Sequence, residues 1–305
     1  MDTPLDVGRL RLLSEVAMRG SIAGAAREVG LTPSAVSQQL AILEREAGTP
    51  LLDRLPRGVL LTGAGQVLVT RARGILGLLE EARADLDRLT GELAGQVRLG
   101  TVASAAASLV SEAALRLLAE HTELELTVTV AEPADSIGQL TAGDLDVAVV
   151  DVYDGVPVPF PDYLAATELI TEPLVVVGMP GTLPAGALPA GAGLALAGLA
   201  EHDWVMPPLT AACGQAVRLA CRAEGFEPRV RWETDDMLLL VRAVAAGHGI
   251  AVLPRLAVAD NVAEVQLCPL REPRMSRRLI ALTRTSSQAR PVVRAVLAEL
   301  AKAAG

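Results

Sequence analysis

Apolar residues in the amino-terminal part of the chain recur at helical spacings, and the breaks in that rhythm mark the ends of elements. Leu10, Leu13 and Ala17 share one face of a helix expected over Val7–Met18, which Asp6 can cap. Ile22, Ala25, Ala26 and Val29 give a second helix its buried face, and Val36, Leu40 and Leu43 do so for a third. Ser21 can cap the second helix, which stops at Gly30. Thr32 caps and Pro33 opens the third, because a hydroxyl accepts an orphan amide bond and proline at the first helical position loses none it needed. Only Gly30 and Leu31 separate these two helices, so they must cross steeply, as DNA-reading helix pairs do. Away from its buried side, the third helix presents Ser34, Ser37, Gln38 and Ala41. Uncharged polar groups near a helix N-terminus suit base edges and phosphates alike; an ordinary solvated face is the plain alternative. Residues 54–58 then form a hairpin tip between two short apolar runs, with Arg54 and Arg57 placed to reach a DNA backbone or minor groove.

From Gly63 onward Leu68, Ala72, Ile75, Leu79, Ala82, Leu86 and Leu89 follow one another at steps of four and three. That 3.5-residue period keeps facing a partner helix, so it predicts a helical dimer. Gly91 to Gly95 ends the helix as a hinge. Beyond it the pattern alternates strand and helix twice over. The first copy runs Gln96–Val102, Leu109–Glu120, Glu125–Val130, Ser136–Leu140 and a strand within AGDLDVAVV. The second runs Asp203–Met206, Gly214–Glu224, Val230–Glu233, Asp236–Ala245 and AGHGIAVLP. Leu174–Gly178 is a strand between the copies, Met179–Leu199 a loop with a short helix, Val265–Leu267 and Arg278–Thr283 later strands, and Pro291–Ala303 a closing helix. Two such copies predict two α/β lobes. If Arg278–Thr283 returns to the first lobe, the chain crosses twice and leaves a cleft lined by strand ends and helix N-termini. Ser104 and Thr210 occupy matching loops there, where a hydroxyl suits an anion or carboxylate; simple N-capping would use them equally well.

Charge complicates the nucleic-acid reading. The net charge is −9, and residues 1–60 hold seven Arg against seven acids. The third helix, however, carries no charge from Val29 to Leu43, and Arg54, Arg57, Arg71 and Arg73 lie in a stretch to Leu79 without a carboxylate. Only Lys302 among the 27 basic residues is lysine, so phosphate contacts would rest on arginine forks. The early charges leave no apolar leader, and no long uncharged apolar span suggests a membrane segment, so a cytoplasmic protein is expected. Three cysteines and three scattered histidines offer neither a disulfide framework nor zinc spacing, and no cofactor is expected. The six aromatic side chains, Trp204, Trp232, Tyr153, Tyr163, Phe160 and Phe226, leave little for stacking a large aromatic ligand.

The segments LTPSAVSQQLAILEREAGTPLL and GVLLTGAG, with ACRAEGFEPRVRWETDD and AAGHGIAVLP in the second half, resemble LysR-type transcriptional regulators over essentially the whole chain. The resemblance implies a multidomain α and α/β protein. Its parts would be a winged helix-turn-helix over 1–62, a dimerising linker helix over 63–94 and a two-lobed effector domain over 95–305 like periplasmic binding proteins. Lobe I would comprise 95–168 and 270–305, and lobe II 169–269. It implies a homodimer or homotetramer on double-stranded promoter DNA, whose bending responds to a small effector such as a carboxylate or amino acid. RNA polymerase is a further partner this reading leaves open, and no enzyme activity is implied. Carried over by position, Thr32, Pro33, Ser34, Ser37, Gln38 and Arg57 would contact DNA. Ser104 and Thr210 would contact the effector, with Thr101, Val130, Val150 and His248 as neighbours. Pro33 stands where glutamine is frequent and Gln38 where arginine is, which implies a shifted base preference of about 1 to 3 kcal/mol at one position.

Two other readings compete. Cys213 sits at a helix N-terminus, where the dipole favours thiolate, so the input could be oxidation; Cys221, about 12 Å further along the same helix, is too distant to bridge without rearrangement. Alternatively, residues 95–305 could be a solute-binding or enzymatic domain fused to a DNA-binding module. Export would need a signal, and catalysis a nucleophile-base or metal arrangement that the spacing does not provide.

Overall fold

A computed structural model describes residues 5–55, 58–90, 93, 95–183, 193–258 and 265–305. The amino-terminal unit packs helices α1 (Val7–Arg19), α2 (Ile22–Glu28) and α3 (Pro33–Ala47) around Leu10, Leu13, Ala25, Ala26, Val36, Leu40 and Leu43. The caps are those the sequence expects: Asp6, Ser21 and Thr32 accept from Arg9, Gly24 and Ala35 amides at 3.0, 3.1 and 3.2 Å. Gly30, at φ +66°, supplies the left-handed turn between α2 and α3. Strands β1 (Leu52–Leu55) and β2 (Gly58–Leu61) pair antiparallel as a wing. Glu44 on α3 anchors its root by accepting from the Leu51 and Leu52 amides at 2.9 and 3.2 Å. Helix α4 (Gly63–Thr90) starts so close to the wing that a Cβ at Gly65 would lie 2.1 Å from the Leu51 carbonyl oxygen, and only glycine fits.

The expected dimer seam divides along α4. Leu68, half-buried, and Ala72, fully buried, pack with Val69 into the head of their own chain, because the first turns of α4 serve as its fourth helix. Ile75, Leu78 and Leu79 are exposed, as is Ala82. The side chains of Leu86 and Leu89 lie outside the described residues, as do residues 91, 92 and 94 of the expected hinge. Halfway along, α4 passes the carboxy-terminal domain, with Gly77 buried against Ser286.

That domain has two lobes sharing one sheet. In the first, β3 (Gly95–Thr101) lies between parallel β4 (Leu124–Val130) and β5 (Val147–Tyr153), and β12 (Ser276–Arg284) runs antiparallel beside β5. One face carries α6 (Ser111–Glu120) and α10 (Pro291–Ala304), and the other α7 (Pro133–Ala142). The helix leading from β3 begins as a short turn α5 (Ala103–Ala105) and widens into a π turn over Ala106–Val110 before α6. In the second lobe β7 (Leu194–Ala195), β10 (Ala251–Pro254) and β11 (Gln266–Glu272) extend the sheet. Parallel β8 (Asp203–Met206) and β9 (Arg229–Glu233) lie with α8 (Ala212–Ala223) and α9 (Met237–Ala245) around buried Trp204.

Strand β6 (Leu164–Gly178) is longer than its expected Leu174–Gly178 core and belongs to both lobes. It pairs with β12 through Pro173 and with β10 and β11 from Leu174 onward. The change of lobe therefore falls near Pro173/Leu174 and near the cis Glu272–Pro273 bond, a few residues beyond the expected 168/169 and 269/270.

Candidate functional site

Two surfaces carry candidate chemistry. On α3 Thr32, Pro33, Ser34 and Gln38 are exposed and Ser37 is half-buried. They form one polar, uncharged strip at the helix N-terminus, opposite Val36, Leu40 and Leu43. The Thr32 and Ser34 hydroxyls lie 3.0 Å apart. A rigid helix on a packed head, with its amide dipoles aimed outward, can dock against phosphates and read base edges. Arg54 is on β1 opposite Val59, whereas Arg57 lies outside the described residues.

The second surface is the cleft between the lobes. Val102, Ala103, Ser104, Glu132, Asp151 and Tyr153 line it from the first lobe, and Ala211, Ala212, Cys213, Asp235 and Met237 from the second. Its volume of ≈ 30 Å³ has room for only about two or three water molecules, so the gap between the lobes is narrow. At its floor Arg277, 0% exposed, donates to Glu172 Oε1 at 2.7 Å, to Ser104 Oγ at 2.8 Å and to Asp151 Oδ2 at 3.2 Å. Glu172 Oε2 in turn accepts from the Leu256 amide at 2.8 Å. Burial opposes the Arg277 cation, but Tyr153, Glu172 and Asp151 outweigh it and hold the group above its ordinary pKa. Burial raises the Glu132 carboxyl, and Asp151, Asp235 and Asp135 push it further up.

Several expected neighbours lie elsewhere. Ser104 does line the cleft, but Arg277 occupies its hydroxyl, so it is not presented free to an anion. Thr210 is exposed in the turn ahead of α8, where Ala211 takes the cap position. Thr101 is fully buried, its hydroxyl donating to the Val102 carbonyl. Val150 is 0% exposed among Leu140, Leu145 and Ile280; alternation along β5 turns its neighbour Asp151 to the cleft instead. Val130 is exposed, two residues short of Glu132. His248 stacks on Trp232 at 4.9 Å beyond the C-terminal end of α9, whereas the cleft meets the other end through Asp235 and Met237, roughly 13 Å away along the helix. Acidic residues at a strand end or just before a helix were the available signal for Asp151, Glu132 and Asp235.

Cys213 does occupy the first turn of α8, yet it is 3% exposed and its thiol is pushed up to about 12 by burial, the reverse of an activated thiolate. Cys221, also buried, is likewise pushed up to about 12. Relative to the usual 9.0, three pH units lower the thiolate fraction at pH 8 by about a thousandfold. Native protein mixed with a thiol-reactive dye at pH 8 is therefore expected to label Cys213 and Cys221 only after denaturation; rapid labelling of the folded protein would restore the oxidation reading. Among the described residues no cluster of His, Cys, Asp or Glu could hold a metal ion, and no helix is long and apolar enough to cross a membrane.

An exposed reading helix with a wing, joined by a long helix to a two-lobed domain with a cleft, defines a ligand-responsive DNA-binding regulator. The "Bacterial regulatory helix-turn-helix protein, lysR family" model matches residues 7–66, and the "LysR substrate binding domain" model residues 90–305. The chain belongs to the LysR family of transcriptional regulators. It is 28% identical to the regulator CbbR of Rhodospirillum rubrum, over 99% of this chain and 97% of that protein. It is 30% identical to the nitrogen assimilation regulatory protein nac of Escherichia coli, over 82% of this chain and 78% of that protein. The fold matches full-length OxyR from Pseudomonas aeruginosa with a TM-score of 0.74 at 18% identity, covering 98% of this chain and 95% of that one. It also matches full-length CbnR complexed with its target DNA, with a TM-score of 0.57 at 19% identity, covering 98% and 100%. These relatives are transcriptional regulators rather than enzymes.

Proposed function

We propose that this regulator acts in the cytoplasm as a homodimer or homotetramer that reads a two-fold promoter element through Thr32, Pro33, Ser34, Ser37 and Gln38 of α3. Arg54 and Arg57 of the wing add backbone or minor-groove contacts. The head is residues 1–62, the dimerising linker 63–94 and the effector domain 95–305, and effector binding in the cleft changes how far the DNA is bent. The single observation that carries this is the charge-free, outward face of α3 on a head whose other helices are locked by side-chain caps. A small carboxylate or amino acid is the class of effector proposed to enter the cleft as the lobes part, and contact with RNA polymerase follows if the protein activates.

Ile75, Leu78 and Leu79 support the dimer. Three large apolar residues exposed on adjacent turns of one helix have no cover among the described residues, and a second copy of α4 would supply it. DNase footprinting on the upstream region of its own gene is expected to protect two half-sites about one or more helical turns apart. The double variant Ile75→Glu, Leu79→Glu should shift the protein toward monomer in sedimentation and lose the two-site footprint. Retention of both the dimer and the footprint would refute the assigned seam.

A further inference from the structure

The reading of the interlobe cleft as the effector site leaves open what chemistry it accepts, and its lips supply an answer. Glu132 stands at the first-lobe rim, immediately ahead of α7, and Asp235 at the second-lobe rim, immediately ahead of the α9 cap; both line the same narrow space. Asp151 lies deeper between them. Beneath the lining, Arg277 bonds Glu172 through Nε and Ser104 and Asp151 through Nη1, and its Nη2 lies 2.6 Å from Glu172 Oε1 without a well-formed hydrogen bond. Arg277 answers Asp151 and Glu172, whereas no ion pair with Glu132 or Asp235 is seen among the described residues, so the rim facing the cleft is negative.

Acidic lips alone would be a solvated rim. The second observation is Tyr153, 3% exposed and lining the same space, whose hydroxyl makes no hydrogen bond of good geometry although Asp151 and the Cys213 thiol lie beside it. A buried hydroxyl without a well-formed bond is costly, and a ligand donor or acceptor reaching it would remove that cost. Burial is the main reason the Glu132 carboxyl is raised, and Asp151 of its own lobe and Asp235 of the other stand close enough to push it further up.

Resting on the effector-cleft reading above, we propose that the cleft takes a small ligand carrying a protonated amine, seated between Glu132 and Asp151 of one lobe and Asp235 of the other, with the Tyr153 hydroxyl as a second contact. Of the two effector classes considered above, amino acids possess this group and simple carboxylates lack it. A cation between the lips also provides a mechanism, because it replaces repulsion between Glu132 and Asp235 with attraction to both. Ligand entry and lobe closure are then coupled through the same charges. A bare carboxylate would meet Glu132 and Asp235 at the mouth and Asp151 below them with no positive group of its own to answer them.

The test is thermal shift on the full-length protein with matched probes. One arm uses the common L-amino acids together with n-butylamine and putrescine. Another uses the corresponding carboxylates without the amine, including butyrate and succinate. A third uses Mg²⁺ or Ca²⁺ alone. At least one amine probe is expected to raise Tm by several degrees at saturating concentration, and its deaminated partner to raise it far less. Glu132→Gln and Asp235→Asn replace exposed rim residues and should fold as the parent does, yet each should weaken binding of that amine at least tenfold. Tyr153→Phe should weaken it less. A shift by amine-free carboxylates equal to that of the amines, by the metal ions, or by an amine in the Glu132→Gln, Asp235→Asn double variant would overturn the amine class while leaving the cleft as the effector site. No shift by any probe would count against the cleft reading itself.

Discussion

Arg277→Met is expected to destabilise the carboxy-terminal domain by about 3 to 5 kcal/mol. The guanidinium is fully buried and serves Asp151, Glu172 and Ser104 at once. Its removal leaves two buried carboxylates facing each other without a counter-charge, and that desolvation, rather than the loss of the contacts themselves, sets the magnitude. Urea unfolding of the full-length protein would read the change directly. The control separates charge from packing: adding Asp151→Asn and Glu172→Gln to Arg277→Met should recover a large part of the lost stability, because neutral amides tolerate the same burial better. If the triple variant were no more stable than the single one, shape rather than charge would hold this junction together.

The second large effect falls on DNA. Ser34→Asp should weaken binding to the promoter site by about 2 to 4 kcal/mol, on the order of a hundredfold, while leaving the head as stable as before or slightly more so. Ser34 is exposed in the first turn of α3, where a carboxylate interacts favourably with the helix dipole. The fold therefore has no reason to suffer, and the repulsion is felt only when phosphates approach. Electrophoretic mobility shift at fixed salt, beside a melting curve of the same preparation, distinguishes the two. Unaltered DNA affinity would remove the N-terminus of α3 from the interface.

The head was almost fully legible in the sequence, because its determinants are local. Caps at Asp6, Ser21 and Thr32, the glycine between α2 and α3, and the periodic apolar positions each act within a few residues. The cleft was legible only as a place. Two strand-helix repeats announced it, and Ser104 lies in its wall with its hydroxyl held by Arg277, but the identity of the lining depends on one-residue parity that no local pattern settles. Val150 and Asp151 are neighbours on a strand buried on both faces, so a shift of one position exchanges core for cleft. The adjacent arginines of β12 pose the same problem: Arg277 is enclosed and Arg278 is exposed at 48% of its side chain, and the sequence offers both equally. The linker shows a third case. Over one or two turns a 3.5-residue seam and a 3.6-residue stripe coincide, so Leu68 and Ala72 satisfied the dimer pattern while belonging to their own head.

Strand β6 has a consequence for how such a protein can diversify. Its first part completes the sheet of one lobe and its last part completes the sheet of the other, without a loop between them. Neither half of the domain is a module that could be cut out, expressed alone or exchanged with that of a relative by recombination, since each would arrive with an open sheet edge. New ligands must instead be acquired by point substitution at the rim, at positions such as 132 and 235, where the side chain is free to vary because the shared strand already carries the architecture.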